Sequence, residues 1–256
     1  MFKHIILSIF LGSVAAIAMA VPTIRPETIN YDVMFKWGLI NKKAGTVAIT
    51  LKDAGDKYES LLTGTSASWA DHIFKVRDTL SGRMTKKDFT PLFYQKIAHE
   101  GGKFKHDIVK YDYSTPGIVK ADCLRKAYDK DGKPTRDERR QLEADGAAID
   151  MLASFYYMRR IPFETMVAGQ KVTIDIFSGK RKEILTIHFN GIREVRIGKT
   201  LHNAYYITFT FTSKGGEKTS DDMEAWISTT DDRIPLRLEG KLPVGKVQCF
   251  FTGTTK

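Results

Sequence analysis

The chain has 256 residues, with 40 Lys or Arg against 30 Asp or Glu, which gives a formal net charge of +10. This length is enough to bury a sizeable core in one large domain or two small ones. The charge does not indicate a nucleic-acid-binding protein, which would gather its basic residues on one face. Here even the densest stretch, residues 120–140, mixes eight basic with five acidic residues.

The first 20 residues have the pattern of a secretory signal peptide. Lys3 precedes an apolar run from Ile5 to Ile17, and Ala18-Met-Ala20 fits the cleavage site. We therefore expect a mature protein that starts at Val21 and is exported, to the periplasm of a Gram-negative bacterium or into the medium. No later apolar run approaches the ~18 residues of a membrane span, so no transmembrane segment is expected.

Two cysteines, Cys123 and Cys249, lie in predicted strands. Export would place them where disulfides persist, so a bridge and two buried free thiols both remain open. Two lone cysteines are too few for a zinc or iron–sulfur site without matching histidines. We predict no metal site and no cofactor.

Alternation of apolar and polar residues dominates the chain and predicts antiparallel strands. Tyr31, Val33, Phe35 and Trp37 share one face of the first strand. About a dozen strands are predicted, including segments near 74–83, 91–99, 103–113, 117–126, 171–177, 183–189, 192–198, 204–213, 222–229, 233–240 and 244–252.

Between the two halves, the period changes to that of a helix near residues 136–160, where Gly146 weakens the pattern and leaves open one bent helix or two short ones. Thr135 and Glu138 fit a capping box. From Ala147 onward the pattern predicts a helix that ends at Arg160, because Ile161 precedes a proline. Apolar residues cover so much of its circumference that protein must surround it.

These elements predict a mainly β fold. A dozen strands cannot remain a flat open sheet, because strand twist makes them curl or close. We expect residues 21–256 to form a single domain, a strongly curved antiparallel sheet or incomplete barrel with one central buried helix.

Four short motifs resemble those of an exported bacterial family known as domain of unknown function 3108. They are Trp37-Gly-Leu-Ile40 with Ala44-Gly45, Phe74-Lys-Val-Arg-Asp78, Asp150-Met-Leu-Ala-Ser-Phe-Tyr-Tyr-Met-Arg159, and Ala225-Trp-Ile-Ser-Thr-Thr-Asp-Asp-Arg-Ile-Pro235. The resemblance spans nearly the whole mature chain and implies a mostly β protein of the cell envelope. A more distant similarity to curved-sheet lipoprotein carriers concerns the fold alone. The family supplies no catalytic residue to transfer.

No nucleophile elbow, zinc-protease motif, Walker loop or dinucleotide fingerprint occurs. His99 and His106 are expected on one face of a hairpin that turns at Gly101-Gly102, without a third ligand. Paired acids could hydrolyse glycans, and the candidates are Asp71, Asp78, Asp231 and Asp232. No signature identifies an enzyme.

Trp69 is the strongest candidate for ligand binding, because its large ring stands in a run of small and polar residues, 63–71. Aromatic rings on loop rims often contact sugars or acyl chains. The alternative is a ring that closes one end of the core. Trp37 and Trp226 sit in predicted strands and are expected in the core itself. Asp71 and Phe74 complete the predicted ligand-binding set.

The leading hypothesis is a non-catalytic envelope protein that binds an amphipathic lipid-like or glycan ligand. One alternative is a hydrolase of envelope polysaccharide or peptidoglycan. The other is an assembly or scaffold protein whose sheet edge pairs with an envelope partner.

Overall fold

The computed structural model describes residues 22–213, 220 and 222–255, so the predicted signal peptide lies outside the described residues. The first half contains β1 (Glu27–Trp37), β2 (Ile40–Ala54), β3 (Lys57–Ser66), β4 (Val76–Thr85), β5 (Pro91–Glu100), β6 (Lys103–Asp112), β7 (Ile118–Tyr128) and β8 (Pro134–Asp145). The second half contains β9 (Ala148–Ile149), β10 (Lys171–Phe177), β11 (Lys182–Ile197), β12 (Thr200–Ser213), β13 (Met223–Ser228), β14 (Pro235–Lys241) and β15 (Lys246–Thr255). Helix α1 is Ser68–Phe74, helix α2 is Ala153–Arg159, and Phe163–Thr165 is a single 3₁₀ turn.

All these strands belong to one sheet, in the order β8-β7-β6-β5-β4-β3-β2-β1-β15-β14-β13-β12-β11-β10-β9. Every neighbouring pair is consecutive in the chain except β1 and β15, and only β9 and β10 run parallel. The two edge strands, β8 and β9, are separated by only residues 146–147, so the sheet nearly closes on itself. The predicted curved sheet is confirmed, with 15 strands rather than about a dozen and with two short helices rather than one.

Antiparallel pairing places alternate turns at opposite ends of this barrel-like sheet. Helix α1 lies at one end, the α1 end, together with the turns at 38–39, 101–102, 178–181 and 242–245. The turns at 55–56, 113–117, 146–147 and 198–199 lie at the opposite end.

Helix α2 fills the centre of the sheet, as predicted, but it is shorter than the predicted 147–160. Its residues pack against different walls of the barrel. Ala153 and Met158 join the cluster of β10 to β13, whereas Phe155 and Tyr156 join the cluster of β1 and β2. The Tyr156 hydroxyl also lies 2.6 Å from Ser60 Oγ on β3. The helix therefore ties together walls that the sheet alone would leave apart.

The segment predicted to begin the helix is strand β8, and the predicted capping box at Thr135 is wrong. Its Arg, Glu and Gln residues favour a helix when taken alone. Pairing with β7 along its whole length overrides that weak preference, because the pairing satisfies the backbone of an edge strand.

Two further expectations concern single side chains. Trp226 is buried as predicted, whereas Trp37 is 54% exposed because it is the last residue of β1 and lies beyond the packed core. Cys123 on β7 and Cys249 on β15 are free thiols, and six strands separate β7 from β15 in the sheet. Burial raises the pKa of Cys123 to about 12 and that of Cys249 to about 11.

Candidate functional site

Helix α1 carries all three predicted ligand-binding residues, Trp69, Asp71 and Phe74. Trp69 therefore stands on a helix rather than on a loop. Its indole Nε1 donates to Lys43 O at 2.7 Å, and Ala67 N donates to Ala44 O at the same distance. These two bonds fix the start of the helix against β2.

Asp71 faces away from Trp69 and anchors the helix to the neighbouring strands. Arg77 of β4 donates to both of its carboxylate oxygens, at 3.1 and 2.7 Å, and Ser66 Oγ donates to it as well. The hydrogen bonds from Arg77 and Ser66 lower the pKa of Asp71 to about 2. Asp71 thus positions α1 and does not line the cavity beside it.

An apolar groove of about 360 Å³ lies between α1 and the interior face of the sheet. Val33 and Phe35 reach it from the same face of β1 as the buried Tyr31, and Val47 reaches it from β2. Trp69, Ala70, Ile73 and Phe74 of α1 form its other side, and Leu242 and Val247 complete it. The groove is therefore the mouth of the barrel interior at the α1 end.

Two glycines, Gly64 and Gly45, line this groove. Gly64 on β3 pairs with Val47, and a Cβ atom added there would meet Val47 Cγ2 at 3.9 Å, an ordinary contact. A side chain at Gly64 would therefore enter the groove without displacing the backbone. Gly45 is different, because its Cβ would lie 2.4 Å from Thr65 O on the adjacent strand.

We expect Gly45→Ala to lower the free energy of unfolding by about 1–3 kcal/mol, since β2 and β3 would have to separate locally. Urea denaturation of the variant and of Gly64→Ala measures the difference. An equal and small effect of the two substitutions would contradict the close approach at Gly45.

The wall beside the groove is charged. Asp78 on β4 pairs with Gly64, so its side chain adjoins the groove on the same interior face. Lys96 Nζ lies 3.7 Å from Asp78 Oδ2 and 3.2 Å from Glu100 Oε1. Further round the same wall, Arg125 Nε lies 3.0 Å from Asp107 Oδ1. The mouth thus has one apolar side and one charged side.

Within this wall, the Asp78 carboxylate is largely buried and only partly satisfied by its neighbours. Burial raises its pKa, and the neighbouring Glu100 adds to the rise, although Lys96 opposes it. Among the described residues, Asp78 Oδ1 is buried without a hydrogen-bond partner. Burial alone would raise the pKa of Glu100, but hydrogen bonds and charges from Lys105 and Lys96 lower it to about 2.

Two large apolar side chains of α1 are exposed and extend the apolar side outward. Ile73 is 77% exposed and Phe74 is 54% exposed. Phe74 lies over the β5–β6 turn, where a Cβ added to Gly101 would be 2.7 Å from its ring. An α-helix that turns such residues to solvent presents an unusually apolar surface.

The other two sequence motifs meet at the opposite end, where a polar cavity of about 760 Å³ opens. Arg159 of α2 is buried and pairs with Glu27 Oε1 at 2.6 Å. It also donates from Nε and Nη2 to Asp232 O, at 3.2 and 2.6 Å. Arg233, at a φ of 49°, pairs with Glu164. The Glu27 pair therefore holds α2 to β1, the hydrogen bonds to Asp232 O hold it to the β13–β14 loop, and the Arg233–Glu164 pair joins that loop to the 3₁₀ turn.

A third cavity, of about 550 Å³, lies beside α2 at that opposite end. Phe89, Ile149 and Tyr157 contribute to its largely apolar lining. Helix α2 therefore does not fill the barrel from one mouth to the other.

The acidic and histidine side chains considered for catalysis or metal binding are dispersed over the molecule. Asp71 and Asp78 lie at the α1 end, whereas Asp231 and Asp232 lie at the opposite end. His99 pairs with Phe104 across the predicted hairpin, and His106 contacts Gln95 at 2.6 Å on the outer face. Among the described residues, no three His, Cys, Asp or Glu side chains gather where they could hold a metal ion. No helix in the described part of the chain combines the length and the apolar character that a membrane span requires.

The fold and the site define a mainly β, barrel-like protein that wraps a helix and keeps a two-sided mouth open. The chain belongs to the family of proteins of unknown function DUF3108, whose model matches residues 30–252. This match confirms the resemblance inferred from the four motifs. Comparison with the curated proteins gives no match.

Two solved structures are similar to the chain. A beta-barrel-like protein of the domain of unknown function DUF1849 from Brucella abortus aligns with a TM-score of 0.59 and 9% identity, over 92% of this chain and 99% of that one. A putative exported protein with a YmcC-like fold from Bacteroides fragilis aligns with a TM-score of 0.36 and 8% identity, over 92% and 98% of the two chains. The Brucella structure supports the barrel-like fold and, at this identity, the fold alone.

Proposed function

We propose that the protein is a non-catalytic component of the bacterial cell envelope that binds an amphipathic, lipid-like molecule in the groove beneath α1. Placement outside the cytoplasm rests on the signal-peptide pattern of residues 1–20. The observation that supports ligand binding is the mouth itself, where an apolar groove adjoins a charged wall.

The lining favours an acyl chain over a glycan. Sugars need several hydrogen-bonding groups, whereas Val33, Phe35, Val47 and Ile73 offer only apolar contact. A volume of about 360 Å³ suits part of one chain rather than a whole diacyl lipid. The polar portion of the molecule would then face Asp78 and Lys96, and a donor on it would satisfy the unpartnered Asp78 Oδ1.

The test uses the purified protein from Val21 onward, which contains every strand of the sheet, and a dansyl-labelled undecanoic acid as the probe. We expect saturable probe fluorescence from the unmodified protein. Gly64→Leu places a side chain in the groove and should weaken binding about tenfold or more, equivalent to about 1.4 kcal/mol.

Thr63→Leu is the matched control, because Thr63 is exposed on the outer face of the same strand. It should bind the probe as the unmodified protein does. Absence of saturable binding, or equal affinity in the two leucine variants, would refute the groove as the binding site. Circular dichroism confirms that each variant keeps its strands.

A further inference from the structure

Large apolar side chains are exposed on two hairpin turns next to the groove. Trp37, Leu39 and Ile40 flank the β1–β2 turn and are 54%, 105% and 46% exposed. Leu242 and Val244 lie in the β14–β15 turn and are 44% and 53% exposed. We call these five side chains the hairpin patch.

The two turns form one continuous surface, because β1 pairs with both β2 and β15. Lys36 pairs with Lys246, directly below the two turns. A Cβ added to Gly245 would lie 2.3 Å from Lys36 O and 3.0 Å from Trp37 Cβ, so the second turn packs directly against the end of β1. Leu242 also lines the groove, which places the patch at its rim.

Lysines surround the hairpin patch. Segments 36–46 and 241–247 contain five lysines and no acidic residue. Lys43 pairs with Asp32, and Lys246 pairs with Glu239. For Lys36, Lys42 and Lys241, no ion pair is found within the described part of the chain, although Lys42 Nζ lies 4.6 Å from the centre of the Trp69 ring. The surroundings of the patch are therefore positively charged.

Apolar side chains encircled by lysines fit the surface of an anionic bilayer. Trp prefers the interfacial region, aliphatic residues enter the acyl boundary, and each Lys near anionic head groups adds about 1 kcal/mol. A protein partner is the weaker explanation, because protein–protein interfaces are depleted in lysine relative to the rest of the protein surface. We infer that the hairpin patch docks the protein onto membrane surfaces that contain anionic phospholipids.

This docking goes beyond the proposed ligand binding and does not depend on it, because four of the five patch side chains lie outside the groove and only Leu242 reaches its rim. Docking through the hairpin patch would turn the mouth of the groove toward the bilayer. An acyl chain could then pass between the bilayer and the groove without crossing water. Filling the groove should leave docking intact, which makes the failures of the two proposals distinguishable.

The test is cosedimentation of the protein from Val21 onward with vesicles of phosphatidylcholine alone or of phosphatidylcholine and phosphatidylglycerol. We expect binding to the anionic vesicles that falls as salt is raised. The double substitution Leu39→Ser with Val244→Ser, which leaves the groove lining unchanged, should lower the partition coefficient about tenfold. Replacing Lys36, Lys42 and Lys241 by Gln should lower it similarly on the anionic vesicles.

Leu201→Ser is the matched control, because Leu201 is 48% exposed but lies at the opposite end of the sheet. It should bind vesicles as the unmodified protein does, and so should Gly64→Leu. Thermal unfolding verifies that every variant remains folded. The inference is overturned if the unmodified protein does not bind anionic vesicles, or if the hairpin and Leu201 variants bind equally.

Discussion

Replacing Arg159 by Met should lower the free energy of unfolding by about 3–5 kcal/mol, the largest effect expected of any single change considered for this protein. The Arg159 side chain is 1% exposed and that of Glu27 is 15% exposed. Loss of the Arg159 guanidinium would leave the Glu27 carboxylate without its cation and the Asp232 carbonyl without two hydrogen-bond donors. Urea denaturation at neutral pH measures the effect.

Arg139→Met provides the comparison. Arg139 makes two hydrogen bonds to Asp122, at 2.8 and 2.7 Å, but its side chain is 74% exposed. Water screens such a pair, so we expect a much smaller loss of stability than that caused by Arg159→Met. Similar losses from the two substitutions would show that burial of the Arg159 pair contributes little.

The second large effect concerns pH. Asp150 is buried just before α2, where its Oδ1 accepts hydrogen bonds from Leu152 N and Ala153 N. Burial raises its pKa from 3.8 to about 6, because those bonds and the one from Tyr111 only partly offset desolvation of the charge. The folded state thus holds this proton more tightly than the unfolded state does.

The sign of the pH dependence follows from that rise. The contribution of Asp150 is fully present below its ordinary pKa and is lost as pH rises through about 6. Between about pH 4 and pH 7, the loss of this contribution should lower the free energy of unfolding by roughly 2 kcal/mol. Asp150→Asn should remove this dependence, as measured by urea denaturation across the range.

Asp122→Asn serves as the control with the opposite sign. The hydrogen bond from Arg139 lowers the pKa of Asp122, so its contribution is lost as pH falls. A difference between unmodified and Asp150→Asn proteins that does not change with pH would contradict the raised pKa of Asp150.

Strands were predictable from this sequence wherever side chains alternate between core and solvent. Strand β10 occupies 171–177 as predicted, and the strands predicted at 183–189 and 192–198 form β11, which is continuous through an irregularity at 190–191. Strand β8 was mistaken for a helix because its alternation is visible only at Leu142 and Ala144. Long-range pairing, which sequence does not display, decided its structure.

The candidate site was predicted in part. Trp69 and Phe74 reach one groove, whereas Asp71 holds their helix in place. Helix α1 was missed, although Trp69 with Ile73 and Ala70 with Phe74 have the spacing of one helix face. The charged wall was missed as well, because alternation does not reveal which face is interior. The face of β5 with Ile97 and His99 is the outer one, and Lys96 points inward.

The single pairing of strands distant in sequence has a consequence for how the chain acquires its structure. Among the described residues, thirteen of the fourteen strand pairings join strands that are consecutive in the chain, whereas that of β1 with β15 joins Thr28 to Thr255. During synthesis from the N-terminus, one edge of β1 remains unpaired until almost the entire chain has been made. Pairing β1 with β15 therefore has the largest loop-closure entropy cost in the sheet. Until it occurs, the unpaired edge of β1 is exposed to association with other chains.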